Sequence, residues 1–121
     1  MLTKEDVDYF QEFGYLYPIT IMSESDALLL KTEIETAERD YPEDLNPTNR
    51  NNPHLVLKCI DRILYHPIIV DAVSDILGPD ILSWGSVLFF KEPKSAGYVS
   101  WHQDATYMGL EPHNFITPWL A

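Results

Sequence analysis

An α+β order is the architecture this sequence predicts, and three observations carry it. Capped segments with helical apolar spacing fill residues 1–79. The break Gly78-Pro79-Asp80 follows. From Ile81 onward the chain is aromatic and β-branched, with turn residues between short runs and no helix caps.

The elements follow in order. Thr3-Lys4-Glu5-Asp6 is a helix start, with Thr3 as N-cap and an acid three residues on. Val7, Phe10 and Phe13 share one face of that helix, and Gly14 stops it. Tyr15-Leu16-Tyr17 reads as a short strand before Pro18. Ser23-Glu24-Ser25-Asp26 repeats the capping pattern and opens a helix to about Arg39, with Ala27, Leu30, Ile34 and Ala37 facing inward. Residues 41–53, rich in Pro and Asn, read as a surface loop or a lid. A helical stretch covers roughly Leu55–Tyr65, and Pro67 opens another that ends at Gly78. Ile81–Phe90, Val99–Trp101 and Ile116–Ala121 read as three strands. Three strands with unpaired edges rarely close a β core. The sheet is therefore expected to be completed by residues beyond Ala121.

Composition narrows the function classes. The 121 residues carry 8 Lys and Arg against 19 Asp and Glu, a net charge of −11. Nucleic acid and anionic membranes select basic surfaces, so neither is an expected partner. The acidity is concentrated in residues 1–53, which hold 12 acids and 4 bases. That half reads as solvated helices, which moves the expected chemistry to the other half. The single cysteine, Cys59, lies in an apolar run and reads as a small core residue. One Cys makes no intrachain disulfide, and no apolar run approaches membrane-spanning length, so a cytoplasmic location is expected.

His102-Gln103-Asp104 is the feature with chemistry in it. On an extended segment, residues i and i+2 point to one face. An imidazole and a carboxylate would then converge, as two of the three ligands of the 2-His-1-carboxylate triad that holds iron(II). Alone, the pattern also suits a polar turn after a strand. The aromatic neighbours Trp101 and Tyr107 suit the wall of a small-ligand pocket.

The longer stretch Trp101-His102-Gln103-Asp104-Ala105-Thr106-Tyr107 resembles the iron-binding signature of the phytanoyl-CoA dioxygenase family. Three other landmarks also resemble that family: Phe13-Gly14-Tyr15-Leu16, the runs Leu77–Leu82 and Phe90–Pro93, and Trp119-Leu120-Ala121. The four occur in family order along nearly the whole chain. The resemblance implies a double-stranded β-helix (jelly-roll) with N-terminal helices outside it. Residues 1–121 would be the N-terminal portion of one such domain, helical over 1–79, with the β-helix beginning at 80. It further implies a non-haem Fe(II)- and 2-oxoglutarate-dependent dioxygenase that uses O2 to hydroxylate a small organic substrate. His102 and Asp104 would be the first two iron ligands. Gln103, Trp119 and Val87 match positions lining the 2-oxoglutarate site, and Lys58 resembles a lysine that pairs with the co-substrate's carboxylate. Related halogenating enzymes carry a small residue at the carboxylate position. Asp104 therefore favours hydroxylation. The family's distal His and its 2-oxoglutarate-binding Arg fall beyond Ala121, so this chain alone is expected to be inactive.

Other residues have plainer readings. His113 reads as a surface histidine, His66 as a helix-opening residue before Pro67, and His54 as structural or as lining the pocket mouth. Trp84, Phe89 and Phe90 read as core packing. Lys91 suits a strand-end charge, while Tyr107 and Met108 either touch substrate or cover the iron loop. Two further readings stay open: a cupin-like metal protein without oxygen chemistry, and a non-catalytic binding module whose acidic helices contact a partner.

Overall fold

The computed structural model describes residues 1–45, 50–89 and 93–121. Its element order is α1 (Lys4–Phe13), α2 (Glu24–Asp40), a 3-10 turn (Pro53–Leu55), α3 (Lys58–Leu64), α4 (Pro67–Leu77) and a short α5 (Ala105–Met108).

The helix boundaries follow local chemistry. Thr3 closes a capping box on α1: its hydroxyl accepts the Asp6 N–H, and the Asp6 carboxylate accepts the Thr3 N–H. Gly14 ends the helix in the left-handed region at φ 77°, and its N–H donates to Phe10 O at 2.7 Å. That turn brings Tyr15 back against α1. Its ring meets Tyr9 edge-on at 5.7 Å, and the two hydroxyls are hydrogen bonded at 2.9 Å. Ser23 caps α2 by accepting the Asp26 N–H. Pro67 occupies the first turn of α4 behind His66, the helix-opening position expected of that pair.

The core sits where α3 meets the 3-10 turn, α2 and α4. Leu45, Pro53, Cys59, Ile60 and Ala72 are its buried members. Burying a side chain the size of Ile60 is worth about 1.5–3 kcal/mol. Cys59 is a core residue, as its apolar context suggested. Burial pushes its thiol pKa up, and the nearby Glu33 carboxylate adds to the rise. α2 is tied on by two ion pairs: Glu38 with Arg50 at 2.8 Å, and Glu33 with Arg62 at 2.8 Å.

Several sequence expectations are corrected. The helix expected from Leu55 begins at Lys58. Asn52 is left-handed at φ 53° and Pro53 starts a separate 3-10 turn, so Leu57 enters α3 from an extended conformation. Ala27 is exposed, not inward. Residues 15–17, 81–89, 99–101 and 116–121 lie in no ladder. Among the described residues, strand pairing is one antiparallel bridge, Asn51 with Val87. A strand needs a partner of matching length, and here only 50–52 reaches 86–88. Trp84 and Phe89 are consequently exposed where core packing was expected, with no facing layer to cover them. Phe90 and Lys91 lie outside the described residues.

The bridge has a side-chain lock. Asn52 N–H donates to Ser86 O at 2.7 Å, and Ser86 N–H donates back to the Asn52 side-chain oxygen at 3.2 Å. His54 Nδ1 is hydrogen bonded to the Ser86 hydroxyl at 2.6 Å. Gly85 allows this approach, since a Cβ there would lie 2.6 Å from Asn52 Oδ1.

Candidate metal centre

His102 and Asp104 converge although Asp104 does not continue an extended segment. Asp104 is αR at φ −58° and ψ −38° and stands at the N-cap of α5, a helix the sequence reading missed. Tyr107 N–H donates to Asp104 O at 2.9 Å and fixes this turn. The convergence expected of an extended segment is thus reached with Asp104 in a helical turn. His102 Nε2 lies 3.0 Å from Asp104 Oδ1.

Each side chain is held from its far side. His102 Nδ1 lies 2.7 Å from Ser100 O. A carbonyl only accepts, so Nδ1 carries the hydrogen, and in the neutral ring the Nε2 lone pair faces Asp104. On the other side, the Thr117 hydroxyl donates to Asp104 Oδ2. A ring lone pair and a carboxylate oxygen 3.0 Å apart need something between them, either a proton shared as an ordinary hydrogen bond or a metal ion. The spacing suits a metal. Adjacent donors about 2.1 Å from an octahedral ion lie roughly 3 Å from each other. A backbone carbonyl behind a metal-binding imidazole is also the usual outer-shell arrangement. One imidazole nitrogen and one carboxylate oxygen fit iron(II) as a donor set. Among the described residues, no group of three His, Cys, Asp or Glu comes together.

The aromatic wall is half present. The Tyr107 ring stands edge-on to His102 with centroids 6.0 Å apart. Trp101 is wholly exposed, and Gln103 and Trp119 are exposed as well. Val87 lies in the 51–87 bridge and Lys58 in the first turn of α3. Neither is hydrogen bonded to His102 or Asp104. Lys58 instead lines a shallow cavity of about 340 Å³ with Thr32, Glu33 and Thr36, which no residue of the His102–Asp104 loop lines. His54 belongs to the bridge lock, and His113 is exposed. Sequence reasoning missed Thr117 and the Ser100 carbonyl. A hydroxyl between Ile116 and Pro118 in an apolar run was the available signal for Thr117, while a carbonyl has none.

Comparison with known proteins adds the chemical context. The family model described as phytanoyl-CoA dioxygenase (PhyH) matches residues 8–121. A probable alpha-ketoglutarate-dependent hypophosphite dioxygenase of Stutzerimonas stutzeri is 36% identical over 66 residues, 54% of this chain and 23% of that protein. The chain thus spans about a quarter of that relative's length in the match. No solved structure matches the chain.

Proposed function

The chain belongs to the phytanoyl-CoA dioxygenase family, and from that premise we propose that it forms part of a non-haem Fe(II)- and 2-oxoglutarate-dependent dioxygenase that hydroxylates a small substrate. The observation that carries the reading is the pairing of His102 Nε2 with Asp104 Oδ1 at 3.0 Å, inside the segment that resembles the family's iron signature. The relative named as an alpha-ketoglutarate-dependent dioxygenase supports the co-substrate.

In this reading His102 and Asp104 hold the metal. Bound iron supplies oxygen activation, coupling decarboxylation of 2-oxoglutarate to oxygenation of the substrate, so that 2-oxoglutarate, O2 and R–H give succinate, CO2 and R–OH. The chain's own residues do the positioning. Ser100 O fixes the His102 tautomer and ring plane. Asp104 supplies the negative charge that offsets part of the ion's charge, and its presence leaves no room at that position for a halide. Tyr107 borders the imidazole edge-on. Gln103, Trp119, Val87 and Lys58 line the 2-oxoglutarate site once the sheet around them is complete. Such a site also needs a third ligand and a cation for the far carboxylate of 2-oxoglutarate, and among the described residues no third His, Cys, Asp or Glu joins the pair.

The substrate follows less directly. The acidic surface disfavours polyphosphate-bearing thioesters. The relative's name makes hypophosphite one compound to try, beside small organic acids. The test is succinate formation from 2-oxoglutarate by the full-length protein under air, with and without each candidate. Succinate that depends on Fe(II) and O2 and rises with one substrate supports the reading. Metal-dependent chemistry that ignores 2-oxoglutarate would replace it with a cupin-like enzyme.

A further inference from the structure

Asp104 is a carboxylate with two very different sides. Oδ1 faces His102 Nε2, and Oδ2 takes the hydroxyl of Thr117, thirteen residues on. An unheld carboxylate rotates about its terminal torsion, which is broad and nearly two-fold. It could then present both oxygens to a metal, or neither. A hydroxyl fixed on Oδ2 removes that freedom and leaves Oδ1 as the single donor. The bond is charge-assisted, so it is stronger than a neutral one.

We propose that Thr117 is a positioning residue: it holds Asp104 as a one-oxygen metal donor and ties the 115–117 segment to the metal loop. This rests on the metal-site reading above. It differs from it in assigning a role to a residue that touches no metal. Thr117 is exposed, and its hydroxyl gives its one hydrogen to Asp104. Its neighbours Ile116 and Pro118 carry no side-chain hydrogen-bonding group. Ser would keep the hydroxyl, whereas Val would keep the shape and lose it.

The test is Mn(II) binding to the full-length protein without co-substrate, read from the loss of the free Mn(II) EPR signal. Thr117→Val is expected to weaken binding about 10–100-fold, the usual cost of losing an outer-shell partner, and Thr117→Ser to restore it. Asp104→Ala sets the floor. If Thr117→Val binds as the parent does while Asp104→Ala fails, the positioning role is wrong and the metal site stands. If Thr117→Ser is as weak as Thr117→Val although both keep the parent's circular dichroism, the hydroxyl is not what Asp104 needs and the role is also wrong. If Asp104→Ala binds as well as the parent, the metal-site reading itself falls, and the role of Thr117 with it.

Discussion

His102 Nε2 and Asp104 Oδ1 stand 3.0 Å apart, with the imidazole's other nitrogen donating to Ser100 O. The pair is half-formed equipment for a cation: oriented, negatively charged and on the surface. Replacing either side chain removes a donor outright. His102→Ala and Asp104→Ala are each expected to weaken divalent metal binding by more than about a hundredfold, beyond the usual outer-shell cost. Mn(II) titration checks this, and circular dichroism should be unchanged, because neither side chain packs in the core.

The bridge lock predicts a coupled pair. Gly85→Ala would set a methyl 2.6 Å from Asn52 Oδ1 and push that oxygen off Ser86 N–H. The struck atom is the end of an exposed Asn side chain that can turn aside, so the expected cost is about that of the lost hydrogen bond, roughly 0.5–1.5 kcal/mol. With Asn52→Gly in place there is nothing to strike, so the added cost of Gly85→Ala should shrink towards zero. A double-mutant cycle by urea denaturation measures the difference.

The two α2 ion pairs should behave differently in salt. The Arg62–Glu33 pair is well exposed, and Glu33→Gln is expected to cost at most about 1 kcal/mol, vanishing in 1 M salt. Arg50 and Glu38 are only 18% and 27% exposed at their side chains, and Arg50 also reaches Leu45 O at 3.4 Å. Glu38→Gln is expected to cost more, roughly 1–3 kcal/mol, and to keep most of that cost in salt because the remaining charge is screened less. Urea midpoints at two ionic strengths decide it.

The α1 cap should be acid-sensitive. The Thr3 hydroxyl, and then its backbone N–H, hold the Asp6 carboxyl below its ordinary value of 3.8. A folded pKa below the unfolded one means that the contribution is complete above the unfolded value. It is lost as the pH falls through the folded one. Helicity by far-UV circular dichroism should therefore drop below about pH 4, and Asp6→Asn should remove that step.

What the sequence made legible was local. Thr3, Gly14, Ser23, Pro67 and Gly78 mark helix ends through bonds and dihedrals that reach only a few residues, and the helices begin and end at or beside them. The His102–Asp104 convergence was legible too, although by a different path: α5 is four residues long and has no apolar period to announce it. Strands were not legible in the same way. The run 81–89 has strand composition, but a strand exists only with a partner, and composition says nothing about whether one is within reach. The Thr117–Asp104 bond and the Asn52–Ser86 lock join residues 13 and 34 apart, distances over which no sequence period operates.

In the proposed function His102 and Asp104 hold iron(II) for 2-oxoglutarate chemistry. The most direct test is anaerobic titration of the full-length protein with Fe(II) and 2-oxoglutarate, watched by visible absorption. Bidentate 2-oxoglutarate on iron(II) gives a weak charge-transfer band. The band is expected to form in the parent protein and to be missing from Asp104→Ala. A folded parent without the band, or an Asp104→Ala variant that keeps it, would contradict the account.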